Sequence, residues 1–150
     1  VNDDTSLAQS DDICSALQLI NFWQDLSTDL PRGRYYLPQQ VLVSHGLTLN
    51  DFAQNDGLTG AKVQAAEQLV LDLCAHAREL MLQGAPLALR LPGRIGWELR
   101  LVVQGGLHIV HQIETLQGRS WQTRPRLQAS HLPSLLWRAW RMPGVKKGLF

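Results

Sequence analysis

Four polar side chains near the start of the chain have the types and the spacing to grip an ion. Gln18, Asn21, Asp25 and Asp29 follow one another at intervals of 3, 4 and 4. On a helix, at about 100° per residue, they fall within an arc of roughly 80° and form one stripe about three turns long. Phe22 and Leu26 border the stripe on one side and Cys14 and Leu17 on the other, while Gln24, Ser27 and Thr28 occupy the far side. The pattern alone leaves an inward-facing and a solvent-facing stripe both open. The charges say more. Asp25 and Asp29 are like charges at i and i+4, an arrangement that costs an isolated helix about 0.2–0.5 kcal/mol. Both also fall towards a helix C-terminus, where the macrodipole favours cations. Mg²⁺ would compensate, being a hard ion that takes oxygen ligands, commonly one or two carboxylates with water and substrate phosphate. Arg32 and Arg34, just beyond the turn, would compensate as plain salt bridges. Asn21, Asp25 and Asp29 are thus candidate metal ligands, with the ion-pair reading open beside that one.

A stripe of this length needs a long helix to carry it. Helical spacing runs from Leu7 to about Leu30, where Pro31 and Gly33 stop it. Two short helices are expected, around Gln39 to His45 and from Asn50 or Asp51, as N-cap, to Gln54. Asn55 to Gly60 reads as a loop. Val63, Ala66, Leu69, Val70, Leu73, Ala77, Leu80 and Met81 repeat at three and four, which predicts a second long helix from Ala61 to about Gln83, ended by Gly84. Pro86 to Gly96 reads as a Pro/Gly-punctuated connection. A third long helix is expected from about Trp97 to Gln117, with Gly118 just after it. Arg119 to Gln128 reads as irregular, and a last helix as running from Ser130 or His131 to Met142. No segment alternates with period two, so the predicted class is all-α.

The chain has 150 residues, 45% hydrophobic and 18% charged, the bulk of one ordinary domain. Its net charge of +1 hides an asymmetry. Asp3, Asp4, Asp11, Asp12, Asp25 and Asp29 come before any Lys or Arg, whereas from Arg119 onward there are seven basic residues and no acidic one. Cys14 and Cys74 lack metal-finger or disulfide-scaffold spacing and read as buried free thiols. No apolar run approaches the roughly 20 residues that cross a bilayer, and no secretory leader is evident. The expected location is cytoplasmic, with peripheral membrane attachment as the variant. That variant rests on Trp137 and Trp140 with Arg138, Arg141, Lys146 and Lys147, a basic aromatic segment of the kind that touches anionic lipid; packing inside the fold is the commoner use of tryptophan. With no binding motif around that cluster, nucleic acid is not an expected partner. His108, His111 and Glu114, three apart, have a spacing seen in metal-binding bundles, but they spread over about 120° and read as a polar helix flank.

The stretch from Ser10 to Asp29, followed by Arg32-Gly33-Arg34-Tyr35-Tyr36-Leu37-Pro38, resembles the second aspartate-rich segment of the squalene/phytoene synthase family. That segment is a Q-x-x-N-x-x-x-D-x-x-x-D helix and then R-x-Y-L-P, and Gln18, Asn21, Asp25, Asp29, Arg34, Tyr36, Leu37 and Pro38 fill each place. Leu99 to Gly106, Ile113-Glu114, Arg124-Pro125 and Leu135 to Arg138 are similar to the late region of the bacterial hydroxysqualene synthase branch, so the resemblance spans nearly the whole chain. It implies a helical bundle of the isoprenoid (terpenoid) synthase type, built around a deep apolar cavity. Two aspartate-rich helices would face each other across the cavity mouth and hold Mg²⁺ on a polyprenyl diphosphate substrate. By the same resemblance, Asn21, Asp25 and Asp29 are metal ligands and Asp25, Asp29 and Tyr36 are catalytic. Arg34 and Tyr36 approach the diphosphate, and Gln18 contacts substrate deeper, near the reacting centre.

The implied reaction is head-to-head condensation of farnesyl diphosphate, with presqualene diphosphate going on to hydroxysqualene or squalene. A phytoene synthase acting on geranylgeranyl diphosphate is the enzymatic alternative. A non-catalytic relative serving as an assembly or interaction module is the alternative of another class, against which the presence of Asp25, Asp29, Arg34 and Tyr36 speaks. Gly93, Gly96 and Gly105-Gly106 stand outside any strand-turn-helix G-x-G-x-x-G context, so no such fingerprint marks a nicotinamide site. Family members carry a first D-x-x-x-D helix upstream, and Asp3, Asp4, Asp11 and Asp12 do not match it. Residues 1–150 are therefore expected to be the C-terminal part of one isoprenoid synthase domain, holding one wall of the metal site and inactive alone.

Overall fold

Asp3 opens the first helix. Its carboxylate accepts the Ser6 N–H at 2.7 Å, which satisfies a donor left free at a helix N-terminus and, with Arg90 nearby, holds the Asp3 carboxyl below its ordinary pKa. α1 therefore spans Asp4–Gln24, beginning ahead of the predicted Leu7 because the cap, not the first leucine, sets its start. The computed structural model describes residues 3–53 and 58–142, and every regular element among them is helical. The all-α class follows.

The predicted helix from Leu7 to Leu30 is not continuous. At Asp25 the backbone turns to φ −96°, ψ 7°, and a short α2 (Leu26–Asp29) and a 3-10 turn (Leu30–Arg32) follow. The cause lies outside the helix. The Ser27 N–H donates to the Ser120 carbonyl at 3.2 Å, so a distant loop takes one rung of the ladder that α1 would otherwise have continued. Pro31 and then Gly33, at φ 70°, stop the helical path where expected.

α3 (Gln39–Ser44) and α4 (Leu49–Ala53) are short. Thr48, not Asn50 or Asp51, stands before α4: the Asp51 carboxylate accepts the Thr48 N–H at 2.8 Å and its hydroxyl at 3.0 Å, as in a capping box. Lys62 also pairs with Asp51, and this contact is the main reason that carboxyl sits below the usual range. The expected end of α4 at Gln54, and Asn55 to Gly57 of the loop after it, lie outside the described residues.

α5 (Ala61–Gly84) and α7 (Gly93–Thr115) join α1 in the core, with α1 packed most extensively along α5. Ile13, Ala16, Ile20 and Trp23 of α1 meet Leu69, Val70, Ala77 and Met81 of α5 and Val103, Val110 and Ile113 of α7 in one buried cluster. α5 ends at Gly84, its last residue, as expected. Gly84 is also buried, at a place where a Cβ would lie 2.6 Å from both the Gln9 carbonyl and the Ile13 side chain, so it lets α1 approach closely as well. The predicted connection from Pro86 to Gly96 instead contains α6 (Pro86–Arg90) and the first turn of α7. Pro86 sits in the first turn of α6, where a missing N–H costs nothing.

Cys14 corrects the expectation of two buried thiols. It is exposed, while Cys74 is buried; Cys14 lies about 100° round α1 from the core-facing Ile13. Burial pushes the Cys74 thiol up to about 12. Beyond α7 the chain is irregular to a 3-10 turn (Ala129–His131), then forms α8 (Leu132–Trp140), which packs on α7. α8 stops short of the predicted Met142, the residue whose helical conformation the following Pro143 disfavours.

Candidate functional site

The break at Asp25 leaves the polar stripe in line. The Asp25 N–H donates to the Asn21 carbonyl at 3.0 Å and the Asp29 N–H to the Asp25 carbonyl at 2.8 Å, so each member lies about one helical turn beyond the last. Asn21 is exposed, and the side chains of Asp25 and Asp29 are 29% and 14% exposed. Arg124 clamps Asp25 with two hydrogen bonds, Nε to Oδ1 at 2.5 Å and Nη2 to Oδ2 at 3.2 Å. Arg34 stands 3.7 Å from Asp29, its backbone N–H donating to the Asp29 carbonyl at 3.0 Å. The salt-bridge arrangement thus exists, with a correction of partner: Arg124, not Arg32, faces Asp25.

Gln24 explains how Arg124 reaches that position. Its Nε2 donates to the Pro125 carbonyl at 2.8 Å, tying the irregular segment after α7 to the end of α1. Neither residue stands out in the sequence as part of the site. Gln24 lies off the stripe, and Arg124 is 99 positions from Asp25; the one available signal was the Arg124-Pro125 pair. Tyr36 stacks on Phe22 with ring centroids 4.2 Å apart and planes at 7°. Because Phe22 neighbours both Gln18 and Asp25 on the helix surface, the Tyr36 ring flanks the stripe. Gln18 is exposed, next to Asn21 along α1.

Beside the stripe lies a cavity of about 450 Å³ between α1, α7, α8 and Leu127. Leu17, Ile20, Leu101, Val102, Ile109, Leu132, Leu135 and Leu136 make it apolar, and Asn21 and Gln24 supply its polar side chains; Gln18 is not in the lining. Two adjacent glycines shape it differently. A Cβ on Gly106 would come 2.8 Å from the Met81 methyl, so Gly106 lets α7 close on α5, whereas a Cβ on Gly105 would meet only Leu127, at 3.8 Å. An apolar slot with a polar end next to two carboxylates and two arginines suits a ligand with a hydrocarbon body and a charged head.

As donors, Asn21, Asp25 and Asp29 are the oxygen ligands that a hard divalent cation takes. Both carboxylates already face a cation, from Arg34 and Arg124 side chains that are 58% and 39% exposed. Among the described residues no group of three His, Cys, Asp or Glu has metal-holding geometry. The flank of α7 is engaged otherwise. Arg78 grips both oxygens of Glu114 at 2.6 Å, His111 lies 3.8 Å from the same carboxylate, and the His108 ring packs 4.5 Å from that of His131.

A family model for squalene/phytoene synthase matches residues 1–132. The chain belongs to the squalene/phytoene synthase family. No curated protein and no solved structure gives a match. Membership in the squalene/phytoene synthase family places the chain among prenyltransferase-type enzymes, whose general reaction is head-to-head condensation of prenyl diphosphates. The match takes in α1 through α7, and with them the stripe, both arginines, Tyr36 and most of the cavity wall. It ends where α8 begins. Among the described residues, no helix is long and apolar enough to cross a membrane.

Proposed function

We propose that the chain forms one wall of a Mg²⁺-dependent isoprenoid synthase acting on polyprenyl diphosphates, with farnesyl diphosphate condensed to presqualene diphosphate and on to hydroxysqualene or squalene. The observation that carries this reading is the alignment of Asn21, Asp25 and Asp29 one helical turn apart, with Asn21 lining the polar end of an apolar cavity. Asn21, Asp25 and Asp29 are the residues that would hold Mg²⁺, which when bound offsets charge on the leaving diphosphate. Arg34 and Tyr36 approach the diphosphate from the flank, and Arg124, once free of Asp25, adds a second guanidinium. The leucines and Ile109 accept the hydrocarbon and keep water from a cationic centre. Gln18 is assigned to substrate contact further along the stripe. The mechanism also needs a second acidic wall facing this one, which we assign to sequence outside residues 1–150.

The test is to incubate the full-length protein with farnesyl, geranylgeranyl or presqualene diphosphate, with and without Mg²⁺, and to follow diphosphate release and product. Turnover of farnesyl or presqualene diphosphate that needs Mg²⁺ and is lost in Asp25→Ala and Asp29→Ala is the expected result. Turnover of geranylgeranyl diphosphate alone would make the enzyme a phytoene synthase. Release unchanged in both alanine variants would refute the metal assignment.

A further inference from the structure

α8 is more amphipathic than its packing uses. At about 100° per residue its apolar side chains span an arc of roughly 200°, yet only Leu135 and Ala139 are buried. Leu132, Leu136, Trp137 and Trp140 are 45–65% exposed. Single exposed hydrophobic side chains are ordinary, but four large ones clustered on one short helix mark a docking surface. The opposite side is cationic, with Arg138 and, just past the helix end, Arg141. The Arg141 guanidinium lies over the Trp137 ring at 5.2 Å, and the Trp137 and Trp140 rings are 5.4 Å apart, so the aromatic and cationic groups form one unit.

Charge decides what this surface fits. Arg119 and Arg124 are paired with Glu67 and Asp25, whereas Arg126, Arg138 and Arg141 form no ion pair among the described residues. No acidic residue occurs after Glu114. A second copy joined through α8 would bring arginines against arginines with no carboxylate on this segment to separate them. A surface offering negative charge next to apolar depth answers both halves of the helix. We propose that α8 docks on an anionic lipid bilayer, lying in the interface with Trp137 and Trp140 turned to the acyl region and Arg138 and Arg141 to the headgroups. With nine residues, it lies on the membrane rather than spanning it. Leu132 and Leu136 also line the cavity, so docking sets one cavity wall against the bilayer. The proposal does not rest on the reaction assigned above: vesicle binding reads α8, and diphosphate release reads the stripe.

The experiment is co-sedimentation of the full-length protein with vesicles of phosphatidylcholine alone or mixed with phosphatidylglycerol, with tryptophan emission quenched by brominated lipid as a second readout. The expected result is binding to the anionic vesicles that weakens with salt and is far weaker on phosphatidylcholine. Arg138→Gln should lower the partition about fivefold, and Trp140→Ser by about tenfold or more. Trp121→Phe, at a residue packed on Phe52, should bind as the parent does, and circular dichroism of each variant excludes misfolding as the cause. Equal binding to both vesicle types, or α8 variants that bind like the parent, would overturn the proposal. So would indoles on α8 that are already shielded from acrylamide without vesicles, because another segment or a second copy would then cover the face.

Discussion

Replacing Arg124 with Gln should move two affinities in opposite directions. The Asp25–Arg124 pair joins side chains that are 29% and 39% exposed, and a pair so open to solvent is worth about 0.2–1 kcal/mol. Loss of the pair should therefore cost at most about 1 kcal/mol of stability. If Asp25 is a metal ligand, Arg124 competes with Mg²⁺ for it, and removing the competitor returns the same increment. Binding of Mg²⁺ alone should tighten roughly 1.5- to 5-fold. The diphosphate behaves oppositely. A guanidinium released to it makes charge-assisted hydrogen bonds worth about 1.5–3 kcal/mol, so Arg124→Gln should weaken inorganic diphosphate by roughly 10- to 150-fold in the presence of Mg²⁺. Gln keeps a polar amide at the site while removing the charge. Isothermal titration of the full-length protein, first with Mg²⁺ and then with diphosphate, measures both. Weakening of the two together would make Arg124 a brace for the fold, and no change in either would remove it from the site.

Two glycine substitutions should have opposite effects on stability. Gly105→Ala gains about 1 kcal/mol of helix propensity and points its methyl into the cavity, so the urea midpoint should rise while KM for farnesyl diphosphate rises several-fold; a fall in stability would show that the space at Gly105 is filled. Gly84→Ala puts a Cβ 2.6 Å from the Gln9 carbonyl and should lose about 1–3 kcal/mol in urea melts, with an unchanged midpoint refuting the close approach of α1 and α5. Burial, then His131, Arg138 and His111, holds His108 below the usual 6.5, so the unfolded chain takes up that proton more readily than the folded one. The stability it contributes is whole above pH 6.5 and is lost as pH falls below that value; His108→Gln should flatten this part of the pH–stability curve, and a parent curve already flat there would count against the buried contact.

The legible features were those encoded over one or two helical turns. The stripe from Asn21 to Asp29 survives because each member is bonded to the last through the backbone, and the three-and-four repeat of α5 marks its buried face directly. Features set by remote backbone were not legible. The bend at Asp25 depends on the Ser120 carbonyl, and the partner of Asp25 depends on Gln24 holding Pro125. The contact role of Gly84 was not legible for a different reason: one residue type serves both to end helices and to let them touch, and only the neighbouring helix shows that Gly84, the last residue of α5, does both. Gly118 fulfils the terminating role at φ 78°. Pro86 and Pro92 broke the apolar pattern where the chain in fact starts two helices, since proline is as suited to a first turn as to a loop.

The bend also changes the argument that first singled out the aspartates. On one continuous helix both would oppose the macrodipole. With the break, Asp25 ends α1 and at the same time begins α2, so part of the penalty assigned to it disappears. The like-charge spacing remains, and the two arginines that relieve it do so from the surface, one at 3.7 Å and one on an irregular segment. The two pairs differ in kind: Arg124 grips both oxygens of Asp25, as Arg78 grips those of Glu114, whereas Arg34 comes no nearer to Asp29 than 3.7 Å. Asp29 is therefore the carboxylate of the stripe whose partner is cheap to displace. Weak neutralisation there is what a site must have if a stronger cation is to replace it.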